Sequence, residues 1–407
     1  MLVLVPSMTT EPARLEPKSD LSSAELISRA TALVPLLRRN GRRVEKDRRI
    51  PDENIAALED SGILRMFRPL RYGGSEADTT TKSAVLSELA RGCASTAWAA
   101  TIWVDQNYLV GLFPEQAQDE IFADPDVRVT ATINVIDARA VPVEGGYRVS
   151  GTFPFNSGSL HAHWAAHAAL MLHEDVDPEP ALFLIPYSEM TIDDDWDTSG
   201  LRGSESNTVR AKDVFVPEHR VLRIGPILAG EIPQNVNDAP LYRISPIHFW
   251  NTSIFPAALG LARAAAELYQ ERLPGSSITY TFYGDKAAAP ITHMQVAEAA
   301  LKTQAAQALG DDLTAFVDAQ AAAAAPFSME DRARLRATVG FATRLCAEAV
   351  EVLRSGSGAS SIKLDVPIQR VARDMQAIAQ HAMGSSTSTA ELYGRVLCGL
   401  EPNSAFL

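Results

Sequence analysis

One stretch of the sequence places hydroxyl-bearing and aromatic residues around a predicted turn. It runs from Gly145 to Trp164 and begins with a glycine pair that suits a β-hairpin. Ser157 and Gly158 follow aromatic residues within it, and His161 comes shortly afterwards. A hydroxyl and a backbone amide beside an aromatic wall suit a flat heterocycle, because the wall stacks on the ring while the polar groups bind its heteroatoms. From these residues alone, an ordinary hairpin with surface histidines is an equal alternative.

Charged residues in two other stretches could also contact a ligand. Arg202 lies in a glycine- and serine-rich loop before a predicted strand, and Arg373 and Asp374 precede His381 on a predicted helix. A lone arginine in such a loop is more often structural than catalytic. An adjacent arginine and aspartate usually form an exposed ion pair or one that joins the helices of a bundle. Taken alone, these residues therefore indicate no particular activity.

The histidines and serines form neither a metal motif nor a hydrolase motif. His161, His163 and His167 are the dense histidine cluster of the sequence, and no carboxylate or cysteine nearby completes a site. We therefore expect no bound metal. Ser157 and Ser204 do not stand in the Gly-x-Ser-x-Gly pattern of a nucleophile elbow, so a serine hydrolase is not indicated either.

The elements that must position these residues change along the chain. Apolar residues at helical spacing predict a helical domain over residues 21–124, after a flexible tail over residues 1–20. Short β-patterned segments and a glycine hairpin predict an antiparallel β-domain over residues 125–230. Long apolar-periodic segments then predict a helix bundle over residues 231–407. The predicted fold class is α+β and mainly α, without the glycine fingerprint of a dinucleotide-binding βαβ unit.

Composition limits the partners and the compartment. The chain has 407 residues, 46% of them hydrophobic, which is enough for a large core. A formal net charge of -13 argues against nucleic acid and against an anionic membrane, since both attract basic surfaces. Three scattered cysteines predict a reducing cytoplasm, and no apolar run is long enough to cross a bilayer.

Several of these segments occur together, in this order, in a known family. The chain resembles the two-component flavin-dependent monooxygenases that share the acyl-CoA dehydrogenase fold. The resemblance covers nearly the whole chain, and the following segments carry it: Ile50-Pro51, Pro69 to Gly74, Ser95 to Trp98, Gly145 to Trp164, Gly200 to Pro217, Gly260 to Ala265, Arg373-Asp374 with His381, and Tyr393 to Arg395.

The resemblance implies an N-terminal helical domain, a central β-domain and a C-terminal four-helix bundle, assembled as a homotetramer or homodimer. Flavin would lie between the sheet and the bundle. Ser157 and Gly158 resemble the pair that faces the N5 edge of the flavin. The full set of residues that the resemblance places at the flavin is Thr132, Asn134, Ser157, Gly158, Arg202 and Arg263.

The resemblance also implies the reaction and its partners. Such proteins receive reduced FAD or FMN from a separate NAD(P)H-dependent reductase and add O2 to form a flavin C4a-hydroperoxide. One oxygen atom then passes to a small aromatic substrate. The protein excludes water, binds the flavin near N5 and holds the substrate.

The residue pattern near the C-terminus favours a monooxygenase over an acyl-CoA dehydrogenase. A dehydrogenase needs a carboxylate base for the proton alpha to the thioester, and many have it about ten residues after the Arg-Asp motif. That position, counted from Arg373, is Ala382, and no carboxylate lies between Asp374 and Glu391. His381 stands beside it, as in the hydroxylases, where a histidine faces the substrate.

The sequence departs from the phenol hydroxylases at one place. They tend to carry a histidine about ten residues after the Ser-x-x-Trp motif, whereas Val104 to Tyr108 contains none. The substrate is then an electron-rich indole or amine that needs no base, or else His161 or Asp105 acts as the base. We assign catalytic roles to Ser157, His161 and His381.

An apolar and aromatic set of residues is expected to line the substrate pocket, although core packing is the more common role of each one. The predicted substrate contacts are Trp103, Asn107, His161, Phe249, Trp250, Phe282 and His381. The leading hypothesis is a monooxygenase acting on an apolar aromatic, indole-like or polycyclic molecule. The alternatives are an FAD-dependent acyl-CoA dehydrogenase or oxidase with a displaced base, and a scaffold that has lost the chemistry.

Overall fold

A computed structural model describes residues 21–135, 137–173, 177–232 and 236–407. The predicted flexible tail, residues 1–20, lies outside the described residues. None of the helices in the described ranges is both long enough and apolar enough to span a membrane.

Five helices form the N-terminal part of the fold. The first begins at a capping box, in which Ser22 and Glu25 satisfy each other's backbone amides. The fourth is buried on all sides, so it forms the centre of this part. The helices are α1 (Ser23–Asp47), α2 (Asp52–Asp60), α3 (Thr79–Gly92), α4 (Ala94–Val110) and α5 (Glu115–Phe122).

Eight strands follow in one sheet. They are β1 (Val129–Thr132), β2 (Asp137–Val143), β3 (Gly146–Asn156), β4 (Trp164–Met171), β5 (Glu179–Pro186), β6 (Met190–Ile192), β7 (Asn207–Pro217) and β8 (Val221–Arg223). The order is β6-β7-β3-β2-β4-β5-β8, and β1 pairs with β4. Antiparallel pairs predominate, as predicted, but β4 pairs in parallel with both β1 and β2. The sheet has a small core of its own around Phe153 and Phe183.

The remaining helices form the predicted bundle. They are α6 (Ile224–Leu228), α7 (Pro246–Asn251), α8 (Phe255–Glu271), α9 (Pro290–Ala323), α10 (Met329–Gly356), α11 (Pro367–Ala379) and α12 (Ser386–Leu397). Helix α10 packs against α8, α9, α11 and α12. One continuous core joins this bundle to the N-terminal helices and to one face of the sheet. The predicted fold class, α+β and mainly α, is confirmed.

The end of β3 is irregular where the chain turns into Ser157. The pairing of β3 with β7 shifts between Phe153 and Asn156. Phe155 has a φ of +59°, which an L residue with a large side chain seldom adopts. A strained backbone conformation of this kind persists where the surrounding structure holds it, and such conformations cluster at active sites and ligand-binding sites.

Candidate active site

Ser157 lies at the end of β3, and three neighbouring groups fix its hydroxyl. Trp98 Nε1 of α4 donates to Ser157 Oγ over 3.1 Å. Ser157 Oγ lies 2.7 Å from Ser206 Oγ, which lies 2.7 Å from Ser204 Oγ. All four side chains are buried. Because the indole N–H can only donate, the Ser157 oxygen must accept from Trp98, and its own proton is left for Ser206 or a ligand.

Gly158 requires the absence of a side chain. Its φ is +76°, and a Cβ there would lie 2.5 Å from Trp103 Nε1. The Trp103 Nε1–H donates to Gly158 O over 3.3 Å, and Gly158 N–H donates to Ser204 O over 2.8 Å. Trp103 thus supports this turn from its buried side, and the Gly158 amide is bonded within the protein. Their contacts with substrate and flavin stay predictions.

His161 is also bonded within the protein. Its Nδ1 lies 2.9 Å from Glu205 Oε2, and its Nε2 lies 3.6 Å from the exposed Asp52. Glu205 is fully buried at a φ of +55°, and its other oxygen accepts from Ile50 N–H. These contacts join the β-domain to the start of α2, so they give His161 a structural position. They do not place it beside Ser157 as a base.

The other two histidines of the cluster point elsewhere. His163 Nδ1 accepts from Arg128 N–H over 3.1 Å, and His167 stacks on Phe153 with ring centroids 3.9 Å apart. Among the described residues, no three histidine, cysteine, aspartate or glutamate side chains are grouped so that they could hold a metal ion.

His381 lies at the end of α11, against the tryptophan that binds Ser157. Its ring centroid is 5.4 Å from that of Trp98. Burial, and then the charge of Arg336, lower the pKa of His381 to about 4, so the ring is neutral at pH 7. Nδ1 accepts from Met383 N–H, and the neutral ring therefore carries its proton on Nε2. The structure thus brings both His381 and Ser157 into contact with the same indole, that of Trp98.

Two aromatic residues flank the open side of the turn, and sequence reasoning did not single out either one. Phe155 is 70% exposed, and Trp196 meets it edge-on with ring centroids 5.9 Å apart. An exposed phenylalanine with positive φ beside a held hydroxyl fits one face of a flat ring. The signal in the sequence was the run Pro154 to Gly158, in which an aromatic residue stands two positions before Ser157.

Thr132 and Asn134 lie at the end of β1, close to this turn. Asn156, the residue before Ser157, donates from Nδ2 to Thr132 Oγ1 over 3.3 Å. Asn134 is exposed at the same strand end. Thr132 therefore contacts the residue that precedes Ser157, and its place at the flavin stays a prediction.

Both predicted flavin-binding arginines have protein partners. Arg202 pairs with Asp197 over 2.9 Å and donates to Thr198 O. Arg263 lies on α8 and donates to Ser87 and Gln307. None of the contacts of Arg263 joins it to the Ser157 turn.

Three predicted substrate contacts, Asn107, Phe249 and Phe282, have different surroundings from one another in the structure. Asn107 uses its amide to bond Leu64 O, Trp103 O and Arg68 Nε in the core. Phe249 is fully buried, with the Lys82 ammonium 3.6 Å from its ring centroid. Phe282 is 109% exposed on the loop between α8 and α9. Their contact with a substrate stays a prediction.

Asp105, the alternative base, forms a buried ion pair. Lys82 Nζ lies 2.7 Å from Asp105 Oδ1, and Ser253 Oγ donates to Asp105 Oδ2 over 2.6 Å. Both charged side chains are almost completely buried. A carboxylate neutralised in this way is not free to accept a proton from a substrate.

The Arg373-Asp374 pair joins the bundle to the rest of the fold. Arg373 pairs with Glu45 of α1, and Asp374 Oδ1 accepts from Leu201 N–H over 2.7 Å. Burial raises the pKa of Asp374 to about 6. The pair thus anchors α11 to the loop that carries Ser204 and Ser206.

Buried neutral histidines should make stability depend on pH. Burial lowers the pKa of His167 to about 3, so this ring stays neutral in the folded chain while it can take up a proton in the unfolded chain. The free energy of unfolding should therefore fall by about 1.4 kcal/mol for each pH unit below about 6.5 through this residue. Urea unfolding of His167→Phe and of the unchanged protein, at about pH 7 and about pH 5, measures the difference. Equal pH dependence of the two proteins would contradict the assignment.

Comparison with known proteins shows the family of the chain. The family model described as acyl-CoA dehydrogenase, N-terminal domain, matches residues 35–120, and that described as acyl-CoA dehydrogenase, C-terminal domain, matches residues 252–386. The oxygenase subunit HsaA of a flavin-dependent monooxygenase from Rhodococcus jostii is 33% identical, over 92% of this chain and 98% of the relative. The oxygenase component of an FADH2-dependent resorcinol hydroxylase from a Rhizobium species is 30% identical, over 98% of this chain and 99% of the relative.

A solved structure extends the comparison to three dimensions. XiaF from a Streptomyces species, in complex with FADH2 and glycerol, superposes with a TM-score of 0.88 at 30% identity. The match covers 94% of this chain and 97% of the other. The chain therefore belongs to the acyl-CoA dehydrogenase fold family, in its group of oxygenase components of two-component flavin-dependent monooxygenases. It is an enzyme that uses reduced flavin and O2.

Proposed function

We propose that the turn at Ser157 binds the ring of reduced FAD or FMN and that the enzyme hydroxylates a small aromatic molecule there. The observation that carries the proposal is the Ser157 hydroxyl, held by Trp98 and Ser206 beside the exposed ring of Phe155. When bound, reduced flavin supplies two electrons and reacts with O2, which provides the oxygen atom for the substrate. Phe155 would stack on the ring, and Thr132 and Asn134 would border it.

The residues of the chain have separate tasks in this proposal. Ser157 accepts from Trp98, so its O–H can be directed at a ring nitrogen of the flavin without reorientation during the reaction. His381 is neutral and offers Nε2–H, so it can orient a substrate oxygen by donating to it. The buried contacts of Trp98 and Trp103 keep water from the inner side of the turn.

Isotopically labelled dioxygen tests this function. The enzyme is supplied with reduced flavin by a separate NAD(P)H-dependent reductase and is offered phenols, resorcinols and indoles, following the aromatic substrate in the name of the Rhizobium relative. The expected product contains one labelled oxygen atom. Products that take their oxygen from water, or no oxygenated product from any aromatic compound, would contradict the proposal.

Removal of the Phe155 ring should weaken flavin binding. Loss of the stacking contact in Phe155→Ala is expected to raise the Kd for reduced FAD by about tenfold, from roughly 1–2 kcal/mol of aromatic contact. Phe215→Ala is the matched control, because Phe215 is also exposed but lies at the other end of the paired strands β3 and β7. Anaerobic fluorescence titration measures both constants. An unchanged Kd in Phe155→Ala would place the flavin elsewhere.

We further propose that the chain assembles as a homotetramer or homodimer. Tyr280 and Phe282 are fully exposed between α8 and α9, and Ile291, Met294 and Leu301 are exposed on α9 itself. Exposed apolar residues in one continuous segment mark a surface that another protein covers. Light scattering during size-exclusion chromatography should show an oligomer, and Phe282→Ser should weaken it. A monomer at micromolar concentration would contradict this part.

The division into structural units and the location of the protein are also proposals. We propose three structural units, residues 21–124, 125–230 and 231–407, and a reducing cytoplasm as the location. The two buried cysteines, Cys93 and Cys346, are unpaired, which suits such a compartment.

A further inference from the structure

Helices α7 and α10 carry a group of buried polar atoms that lack hydrogen-bond partners in the described part of the chain. On α7 these are both ring nitrogens of His248, Trp250 Nε1 and both amide atoms of Asn251. On α10 they are Arg336 Nε and Thr343 Oγ1. Each of these residues is at most 6% exposed. Buried polar groups are almost always bonded, so such a concentration on two helices in contact indicates that a partner is missing.

The unpartnered group connects to the Ser157 turn through His381. Arg336 is close enough to His381 for its charge to lower the pKa of that histidine. His381 in turn packs on Trp98, and Trp98 donates to Ser157. A molecule that contacts α7 and α10 at one end would therefore approach the proposed flavin edge at the other.

The chemistry of the group favours a negatively charged partner. Arg336 of α10 forms no ion pair with any described residue and donates to Phe406 O. Arg332, one turn earlier on the same helix, donates to Leu228 O and to an oxygen of the last residue of the sequence, Leu407. A buried cation without a counter-ion is unfavourable, so a bound anion would stabilise the protein here.

Most of the unpartnered atoms are hydrogen-bond donors, which also favours a negatively charged partner. Arg336 Nε and Trp250 Nε1 can only donate, and the Asn251 amide and Thr343 hydroxyl can donate as well. Burial, followed by the charge of Arg332, lowers the pKa of His248 to about 3, so this ring is neutral and adds one more donor. Oxygen atoms that accept hydrogen bonds would satisfy most of the group.

We propose that the α7–α10 group is the polar end of the substrate pocket and that it selects an aromatic substrate carrying a carboxylate. Arg336 and Asn251 bind the carboxylate, and the aromatic ring extends past His381 towards Ser157. This inference rests on the proposed hydroxylation of aromatic molecules and names the substrate class for it.

Matched pairs of ligands test the proposal without any flavin. The probes are 4-hydroxyphenylacetate against 4-ethylphenol, and indole-3-acetate against 3-ethylindole, which differ in the carboxylate. Calorimetric titration of the full chain should show at least one acid binding about tenfold or more tighter than its uncharged partner, as expected for charge-assisted hydrogen bonds. Arg336→Met should reduce that ratio to about one. Arg334→Met is the control, because Arg334 lies on the same helix but pairs with the exposed Asp312.

A second variant distinguishes a ligand-binding role of Asn251 from a purely structural one. Asn251→Leu removes two unsatisfied buried atoms and keeps the volume, so the Tm of the ligand-free protein should stay equal or rise while acid binding weakens. A purely structural asparagine would instead lower the Tm when replaced.

The outcomes are distinct. Equal binding of acid and uncharged partner by the unchanged protein, or discrimination that survives in Arg336→Met, would overturn the inference. Acid binding that depends on Arg336, in a protein that oxygenates no aromatic compound, would preserve the site and overturn the proposed function. Oxygenation of uncharged aromatic compounds, without preference for acids, would support the proposed function and overturn the inference about the carboxylate.

Discussion

Replacement of Ser157 by alanine is expected to uncouple oxygen consumption from product formation. The variant loses the hydroxyl that Trp98 and Ser206 hold at the proposed flavin edge. A positioned donor of this kind contributes about 3–4 kcal/mol to the step that it assists. We therefore expect product per reduced flavin to fall by about tenfold or more, with hydrogen peroxide formed in its place. Product and peroxide are quantified together after single turnovers.

Two further variants make this result specific. Ser206→Ala leaves the Trp98 bond to Ser157 intact, so its loss of product should be smaller. Ser388→Ala removes an exposed hydroxyl on α12 and should change nothing. The Kd for reduced flavin should remain within a few-fold in all three variants. A Ser157→Ala enzyme that couples as well as the unchanged protein would remove this hydroxyl from the mechanism.

Breaking the buried ion pair between α3 and α4 should produce the largest loss of stability. Lys82→Met leaves the Asp105 carboxylate buried without its counter-ion, with Ser253 as its remaining bonded partner. Removal of one member of such a pair costs about 3–5 kcal/mol in free energy of unfolding. The double variant Lys82→Met with Asp105→Leu removes both charges and should recover most of that loss.

Urea unfolding of the two single variants and the double variant gives the coupling energy of the pair. The control is Arg43→Met, which breaks the exposed pair of Arg43 with Asp47 and should cost below about 1 kcal/mol. A Lys82→Met protein as stable as this control would show that the pair contributes little. A double variant less stable than either single one would show that the site cannot accept apolar residues.

The sequence predicted those features that depend on residues close together in the chain. The hydroxyl after an aromatic strand end located Ser157, and helical spacing located the bundle. The position of Lys82 relative to Asp105 also contained usable information. The two residues stand at similar distances from Cys93, where α3 gives way to α4, and two helices joined there bring such positions together. Counting residues in both directions from Cys93 would have predicted the ion pair between Lys82 and Asp105.

The sequence could not distinguish which residues of a fully buried helix face a pocket. Helix α4 is buried on all sides, so apolar periodicity does not indicate a face. Trp103 and Asn107 were therefore assigned to substrate binding, although both are bonded within the core. The role of His161 depends on Glu205, a buried carboxylate at positive φ in a glycine- and serine-rich loop, where no propensity predicts a glutamate.

The unpartnered atoms on α7 and α10 show a further limit of prediction from the sequence. Trp250 was predicted to contact the substrate, although core packing is the more common role of such a residue. The structure distinguishes the two neighbours: the Trp250 indole N–H has no hydrogen-bond partner among the described residues, whereas Phe249 is enclosed by Tyr108 and Lys82.

The most direct test of the central claim is a stopped-flow experiment on the purified protein. The protein is mixed anaerobically with reduced FAD or FMN and then with oxygenated buffer, while the absorbance of oxidised flavin is followed. The proposed site predicts that this absorbance returns only after a long delay compared with free reduced flavin, and that an added aromatic substrate is oxygenated during the delay. Immediate return of oxidised flavin, together with reduction of bound FAD by acyl-CoA thioesters, would contradict the account.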